Sequence, residues 1–261
     1  MIVAIKELVK YRDLLWMLTL RDIKIRYKQA AMGFLWAIFM PIVAILAGIL
    51  IKKAMSVVSG QPMDFRGIVS ISVKVLPWTF FVSAIKFAVQ SLVGNSALVT
   101  KIYFPRAVLP LSSILACFFD FIIAILVLTV VLCIFQVGLS AYLIWLPLVI
   151  VFLVFFTAGL GMLLSSANLF FRDVKYIVEI ILMFGIFFTP VFYDAKTFGK
   201  WEGLILLNPI GSLLDAINNI VVLHQMPEPF WFLYAGISSV VMLVVGLFIF
   251  HKNEPFFAEN I

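Results

Sequence analysis

Apolar residues along this chain gather into six stretches, separated by short polar segments. They cover residues 33–51, 68–93, 107–135, 142–167, 176–191 and 230–250. A helix needs about 20 consecutive apolar residues to cross a bilayer, and these stretches meet or approach that length. The second contains Lys74, Lys86 and Pro77, and the proline predicts a kink. A further stretch, 201–223, is apolar but interrupted by Asn208-Pro209 and Gly211. Its pieces of about 6 to 12 residues are too short to span and read as re-entrant or interfacial helices. The pattern predicts an all-α polytopic membrane protein with six transmembrane helices and short broken helices between the fifth and sixth. Six spans put both termini on one side; a seventh would separate them.

Ahead of the first span, Ile5, Leu8, Val9, Trp16, Leu20 and Ile23 recur near helical spacing, with Lys6, Lys10, Asp13 and Lys24 largely on the other side. This predicts an amphipathic helix lying at the membrane surface against lipid headgroups. The chain therefore divides into an interface helix, 1–30, and a single six-span domain, 31–261.

Composition agrees. The 261 residues are 64% hydrophobic and 12% charged, with mean hydropathy +1.18. Soluble domains carry about 25% charged residues. The net charge of +6 would suggest nucleic acid in a soluble protein. Here the cations flank the apolar stretches, so topology accounts for them and a nucleic-acid partner is excluded. Twelve Lys and Arg lie in segments on the N-terminal side of the membrane and five on the other. Both termini are thus expected in the cytoplasm. The first 30 residues lack the pattern of a cleavable signal peptide. Cys117 and Cys133 are 16 positions apart in one apolar stretch, roughly 24 Å along a helix. They imply neither a disulfide nor a metal site.

Ionisable groups inside spans usually face a cavity or a partner. Lys74, Lys86, Asp120 and Glu179 are the candidates. Asp120 is the deepest, expected to pair with a cation such as Lys86 or to face water. A proton-coupled secondary transporter using Asp120 and Glu179 is the alternative class. His224 and His251 fall on opposite sides, so no clustered acid–base site for an enzyme is read. No G-x-x-x-x-G-K-[ST] phosphate loop occurs, so ATP energy must come from another chain.

Four motifs carry a family resemblance. The first is RDIKIRYKQAAMGFLWAIFMPI, with Arg21-Asp22, Arg26-Tyr27, Gly33, Trp36 and Pro41. The second is Lys101-Ile102-Tyr103-Phe104-Pro105-Arg106 followed by Leu109-Pro110; the third is Phe171-Arg172-Asp173-Val174 with Thr189-Pro190-Val191-Phe192-Tyr193; the fourth is Asn208-Pro209-Ile210. In this order they resemble the permease subunits of ABC-2 type polysaccharide exporters, nearest to the O-antigen (Wzm-type) group. Ala30-Ala31 departs mildly from a pattern that commonly has Thr or Ser there. The resemblance implies a non-enzymatic permease of the bacterial inner membrane. It would work as a homodimer with two copies of a separate ATPase that holds ATP and Mg, and it would pass a lipid-linked polysaccharide. Teichoic acid, capsule, small lipids or drugs are the alternative cargoes.

Within that frame, Asn95, Lys101, Tyr103, Phe104, Pro105 and Arg106 are the main coupling element toward the ATPase. Arg21, Asp22 and Arg26 are a second contact, with Arg172 and Asp173 reading as a local ion pair, a helix start or a further contact. A sliding sugar chain suits flat aromatic surfaces. Trp36, Phe39, Trp78, Phe80, Phe81, Phe187, Phe188, Tyr193 and Trp201 are the channel candidates, with lipid-belt roles as the alternative.

Overall fold

The computed structural model describes residues 2–28, 35–60, 65–134, 136, 138 and 140–260, without the side chains of residues 2–5, 37, 55, 58 and 59. Gly33, the expected start of the first span, and Ala30-Ala31 lie outside the described residues. Among those described there are eleven α-helices and no strand: α1 Ile2–Lys10, α2 Arg12–Lys28, α3 Leu35–Ser59, α4 Phe65–Gly94, α5 Ser96–Lys101, α6 Val108–Ile134, α7 Leu146–Phe170, α8 Val174–Phe188, α9 Glu202–Leu206, α10 Pro209–Val221 and α11 Pro229–Asn253.

Among the described residues, four helical stretches are long and apolar enough to cross a membrane: Phe65–Gly94, Val108–Ile134, Ala141–Phe170 and Pro229–Phe256. They match the second, third, fourth and sixth expected spans. The helix at the first, α3, runs through Lys52-Lys53 rather than stopping at Ile51. The helix at the fifth, α8, has 15 residues, about 22 Å of rise against a hydrocarbon core of about 30 Å.

In its most apolar window, α4 is 78% buried, against 17% to 28% for the other three. It is therefore the central helix, and the others turn a face outward. Pro77 sits inside α4 without ending it. Around α4 the main core gathers Phe80, Phe81, Phe121, Leu153, Leu213 and Ile217. Phe80 stacks on Phe121 with ring centroids 5.0 Å apart.

Helices α7 and α11 touch backbone to backbone. A Cβ on Gly159 would lie 2.2 Å from the Met242 carbonyl oxygen, and one on Gly246 would lie 2.1 Å from that of Gly159. Apolar side chains cannot drive helices together in lipid, so close approach at small residues takes over that role. Gly161, two positions on, faces Ala88 and Ile114 instead. One helix thus presents a glycine to each of its two sides.

The broken stretch 201–223 forms α9 and α10. Asn208 caps α10 by accepting the Ile210 N–H at 3.1 Å, with Pro209 in the first turn where its missing N–H costs nothing. Its Nδ2 donates to Thr189 Oγ1 at 2.9 Å, tying α10 to the end of α8. Gly211 sits where a Cβ would be 3.0 Å from Pro190. Ten residues of α10 are buried against its neighbours.

Candidate functional site

At one end of the bundle, separate parts of the chain form a second apolar cluster: Leu18 from α2, Leu92 from α4, Val99 from α5, Phe104, Met162 and Leu169 from α7, and Phe250 and Phe257 from the C-terminal region. Residues 95–107 cross its surface. Asn95 opens α5, donating from Nδ2 to the Ser91 carbonyl at 2.8 Å while its own carbonyl accepts the Leu98 and Val99 N–H groups. Beyond α5, Phe104 and Pro105 turn inward and Lys101 and Tyr103 outward, Tyr103 being 90% exposed. Arg106 is tied down. Its backbone N–H donates to Glu254 Oε1 at 2.7 Å, and its guanidinium donates to the carbonyls of Glu254 and Val99. A cleft of about 490 Å³ opens here between Glu7, Lys10 and Tyr11 on one side and Tyr103, Arg106, His251 and Glu254 on the other.

The N-terminal region departs from the expected single surface helix. It is two helices broken at Tyr11, and α2 climbs along α6. Asp22 pairs with Arg21 at 2.8 Å and accepts from Ser112 Oγ at 3.2 Å. One turn on, Arg26 Nη1 donates to Asp120 Oδ2 at 2.7 Å and Nη2 to Cys117 Sγ at 3.2 Å, with the guanidinium 4.1 Å over the Phe87 ring. Tyr27 donates its hydroxyl to the other Asp120 oxygen. Asp120 lies 12 residues past Val108, so these contacts reach roughly 18 Å along α6. Asp120 does pair with a cation, but it is Arg26 rather than Lys86: Lys86 points outward, and Asp120 takes a cation and a hydroxyl from α2. Cys117 is an acceptor for Arg26. Of the coupling candidates, Asp22 and Arg26 are thus committed to holding α2 on α6.

Arg172 and Asp173 are exposed between α7 and α8, and no ion pair joins them. Asp173 starts α8 through its backbone carbonyl, which accepts from Tyr176 and Ile177, and its side chain makes no capping bond. The polar side chain that fixes this turn is Asn168. It accepts the Lys175 N–H at 3.2 Å and donates to the Val89 carbonyl at 3.0 Å.

At the opposite end, Lys74 is 2% exposed, and its Nζ donates to the Tyr193 carbonyl at 2.8 Å and to Asp194 at 2.9 Å. The cation expected to be costly inside α4 is thereby neutralised by the loop after α8. Burial alone would push the Asp194 carboxyl up; Lys74, with Lys52 and Ser70 adding, outweighs it and holds it below the ordinary carboxylate range. Asp215 on α10 goes the other way, raised by burial against a weaker pull from Lys74. Glu179 is exposed on α8.

The channel aromatics separate by burial. Trp78, Phe80 and Phe81 are 4% to 6% exposed and pack inside the chain, so the channel-facing reading gives way to a core role. Phe39, Phe187, Phe188 and Trp201 are exposed, and Trp36 and Tyr193 are half-buried. A sequence cannot tell these groups apart, because burial follows which helix is central: Trp78, Phe80 and Phe81 lie on α4 and the others do not.

Helices long and apolar enough to cross a membrane, carried with short broken helices at one end and a cleft built from connecting segments at the other, define a multi-pass membrane protein. The chain belongs to the ABC-2 type transporter family, whose profile matches residues 13–222. It is similar to the O-antigen export system permease protein RfbA of Klebsiella pneumoniae, 30% identical over 254 residues that cover 95% of this chain and 94% of that one. It is also similar to the O-antigen export system permease protein RfbA of Myxococcus xanthus, 29% identical over 264 residues and the full length of both.

Proposed function

We propose that this chain is the transmembrane subunit of an ATP-driven exporter that moves a lipid-linked polysaccharide of the O-antigen class outward across the bacterial inner membrane. In this reading α3 and α8 join the four long helices as the first and fifth spans, both termini are cytoplasmic, and α9 and α10 sit re-entrantly near the outer surface. Two copies enclose the path for the sugar chain. Two copies of an ATPase, holding ATP and Mg, dock on the cytoplasmic face.

The observation that carries the reading is the convergence of the N-terminal helices, residues 95–107 and the C-terminal region on one cleft. A short segment fixed to two long helices moves with them, so force applied at Tyr103 is delivered to α4 and α6 together. The names of the relatives support the cargo class. Against a proton-coupled transporter stands the engagement of Asp120 by Arg26 and Tyr27, with Glu179 exposed on a different helix.

The test is ATP hydrolysis by the partner ATPase, reconstituted with and without the chain. Replacing 101–106 by Gly/Ser should abolish the difference while the chain still inserts. An ATPase that never co-purifies with the wild-type chain overturns the reading.

A further inference from the structure

The segment that follows α11 has no part in the four family motifs, yet it is built into the cleft. After Asn253 the chain makes a single 3₁₀ turn, Glu254–Phe256, and folds back under the bundle. Phe257 is fully buried, its ring 5.0 Å from Phe250 and 6.0 Å from Phe170. Asn253 donates to Ser166 Oγ at 3.2 Å on α7. The turn is therefore anchored on both flanks, by an apolar plug after it and a polar bond before it.

Glu254 lies between those anchors and reaches in two directions. Oε1 accepts the Arg106 N–H at 2.7 Å, its carbonyl accepts the Arg106 guanidinium, and Oε2 lies 3.1 Å from His251 Nδ1. Arg106 has no intrahelical acceptor for its N–H, because it precedes α6. A carboxylate supplied from 148 residues away fills that place. The bond is charge-assisted and so stronger than a neutral one.

We infer that Glu254 is a positioning residue for the coupling segment: the C-terminal turn is a strut that fixes the backbone at Arg106, and so the direction in which Tyr103 and Lys101 face the ATPase. This rests on the proposed docking at the cleft and adds a second mechanical input. The segment 102–106 is connected covalently to α4 and α6 and non-covalently to α11, so a push on it reaches three long helices rather than two. Without the Glu254 carboxylate the segment keeps Phe104 in its apolar seat and the Arg106 guanidinium on its two carbonyls, but the Arg106 N–H loses its acceptor and the backbone there is held less firmly.

The test uses the full chain in complex with its ATPase and compares Glu254→Ala with Glu254→Gln. The glutamine keeps an acceptor oxygen for the Arg106 N–H; alanine removes it. Amide hydrogen exchange of a peptide covering 102–106 should speed up at least tenfold in Glu254→Ala and by less than threefold in Glu254→Gln, with exchange in α4 and α7 unchanged. Stimulation of ATP hydrolysis by the chain should fall at least threefold in the alanine variant, at equal yield of complex, and be restored in the glutamine variant. Unchanged exchange at 102–106 in Glu254→Ala overturns the strut. Altered exchange with full stimulation overturns its role in coupling. Exchange rising throughout both variants makes Glu254 a general stability residue and also overturns it. A wild-type chain that binds no ATPase fails the docking reading instead, while the exchange comparison still decides whether the strut exists.

Discussion

Gly159→Ala adds one methyl group where α7 meets α11. The new Cβ would lie 2.2, 2.4 and 2.5 Å from Met242 O, Met242 C and Leu243 N, whereas ordinary contact begins at 3.4 Å. All three are backbone atoms, so no rotamer change relieves the clash and the helices must part by about 1.2 Å locally. A gap of 0.5–1 Å forfeits roughly a quarter to a half of the dispersion energy of the atoms it separates. Overpacking of this kind costs about 1–3 kcal/mol, and contact with backbone puts Gly159 at the upper end. For a chain of this size about 2–4 °C of melting temperature accompanies each kcal/mol. Gly159→Ala should therefore melt roughly 4–12 °C below wild type, followed by the monodisperse fraction remaining in detergent after heating. Gly94→Ala is the control. No atom lies within 4 Å of a Cβ there, and it ends α4, so it should be neutral or slightly stabilising. If Gly159→Ala melts within 1 °C of wild type, or Gly94→Ala falls equally far, close helix approach is not what holds α7 to α11.

The Arg26–Asp120 pair predicts strong non-additivity: Arg26→Met and Asp120→Ala should each cost about 2–3 kcal/mol, less than a fully buried pair because both side chains keep some exposure, and the double variant should cost less than their sum; additive melting shifts would refute a direct pair. At Lys74–Asp194 the two partners are unequally buried, 2% and 47% exposed. Asp194→Asn strands a buried cation and should cost about 3–5 kcal/mol, while Lys74→Met returns Asp194 to water and should cost less, so equal losses in a denaturation series would contradict the geometry. Acid should act in two opposed steps. Asp215, raised by burial, destabilises the fold when ionised, so melting temperature should rise as pH falls through its raised value, and Asp215→Asn should flatten that limb. Asp194, held low, contributes stability above the ordinary carboxylate range and should lose it only as pH falls through its depressed value, seen as protease cleavage in 195–201 at low pH. Asn208→Ala removes both a helix cap and the Thr189 bond and should cost about 1–2 kcal/mol in the same melting assay.

Long apolar runs and their charged flanks were readable because each is a local property, which is why α4, α6, α7 and α11 fall where the pattern predicts. Contacts between distant segments were not. Asp120 was expected to pair with a cation such as Lys86 or to face water; that the cation is Arg26 was not readable, because nothing in the periodicity of 12–28 shows that α2 packs along α6 rather than lying flat. Trp16 and Met17, 61% and 60% exposed, show how weakly apolar character sorts the faces of that helix. Burial of Trp78, Phe80 and Phe81 follows from α4 being central, a fact of packing order rather than of composition. The C-terminal turn left one trace, Pro255-Phe256-Phe257 beyond the last span, where an apolar pair after a helix-ending proline has no topological purpose.

The contact between α2 and α6 also sets an order of events during synthesis. Arg26 leaves the ribosome 94 residues before Asp120, the carboxylate that neutralises it. Through that interval Arg26 lacks the carboxylate it pairs with in the folded chain, a reason for α2 to remain at the membrane surface until α6 is made. Nascent chains ending before Asp120 should accordingly show no cross-link between α2 and the first turns of α6, and longer ones should. Until α6 arrives, Arg26 and Tyr27 have no Asp120 to hold; once it does, the same residues become a joint between α2 and α6.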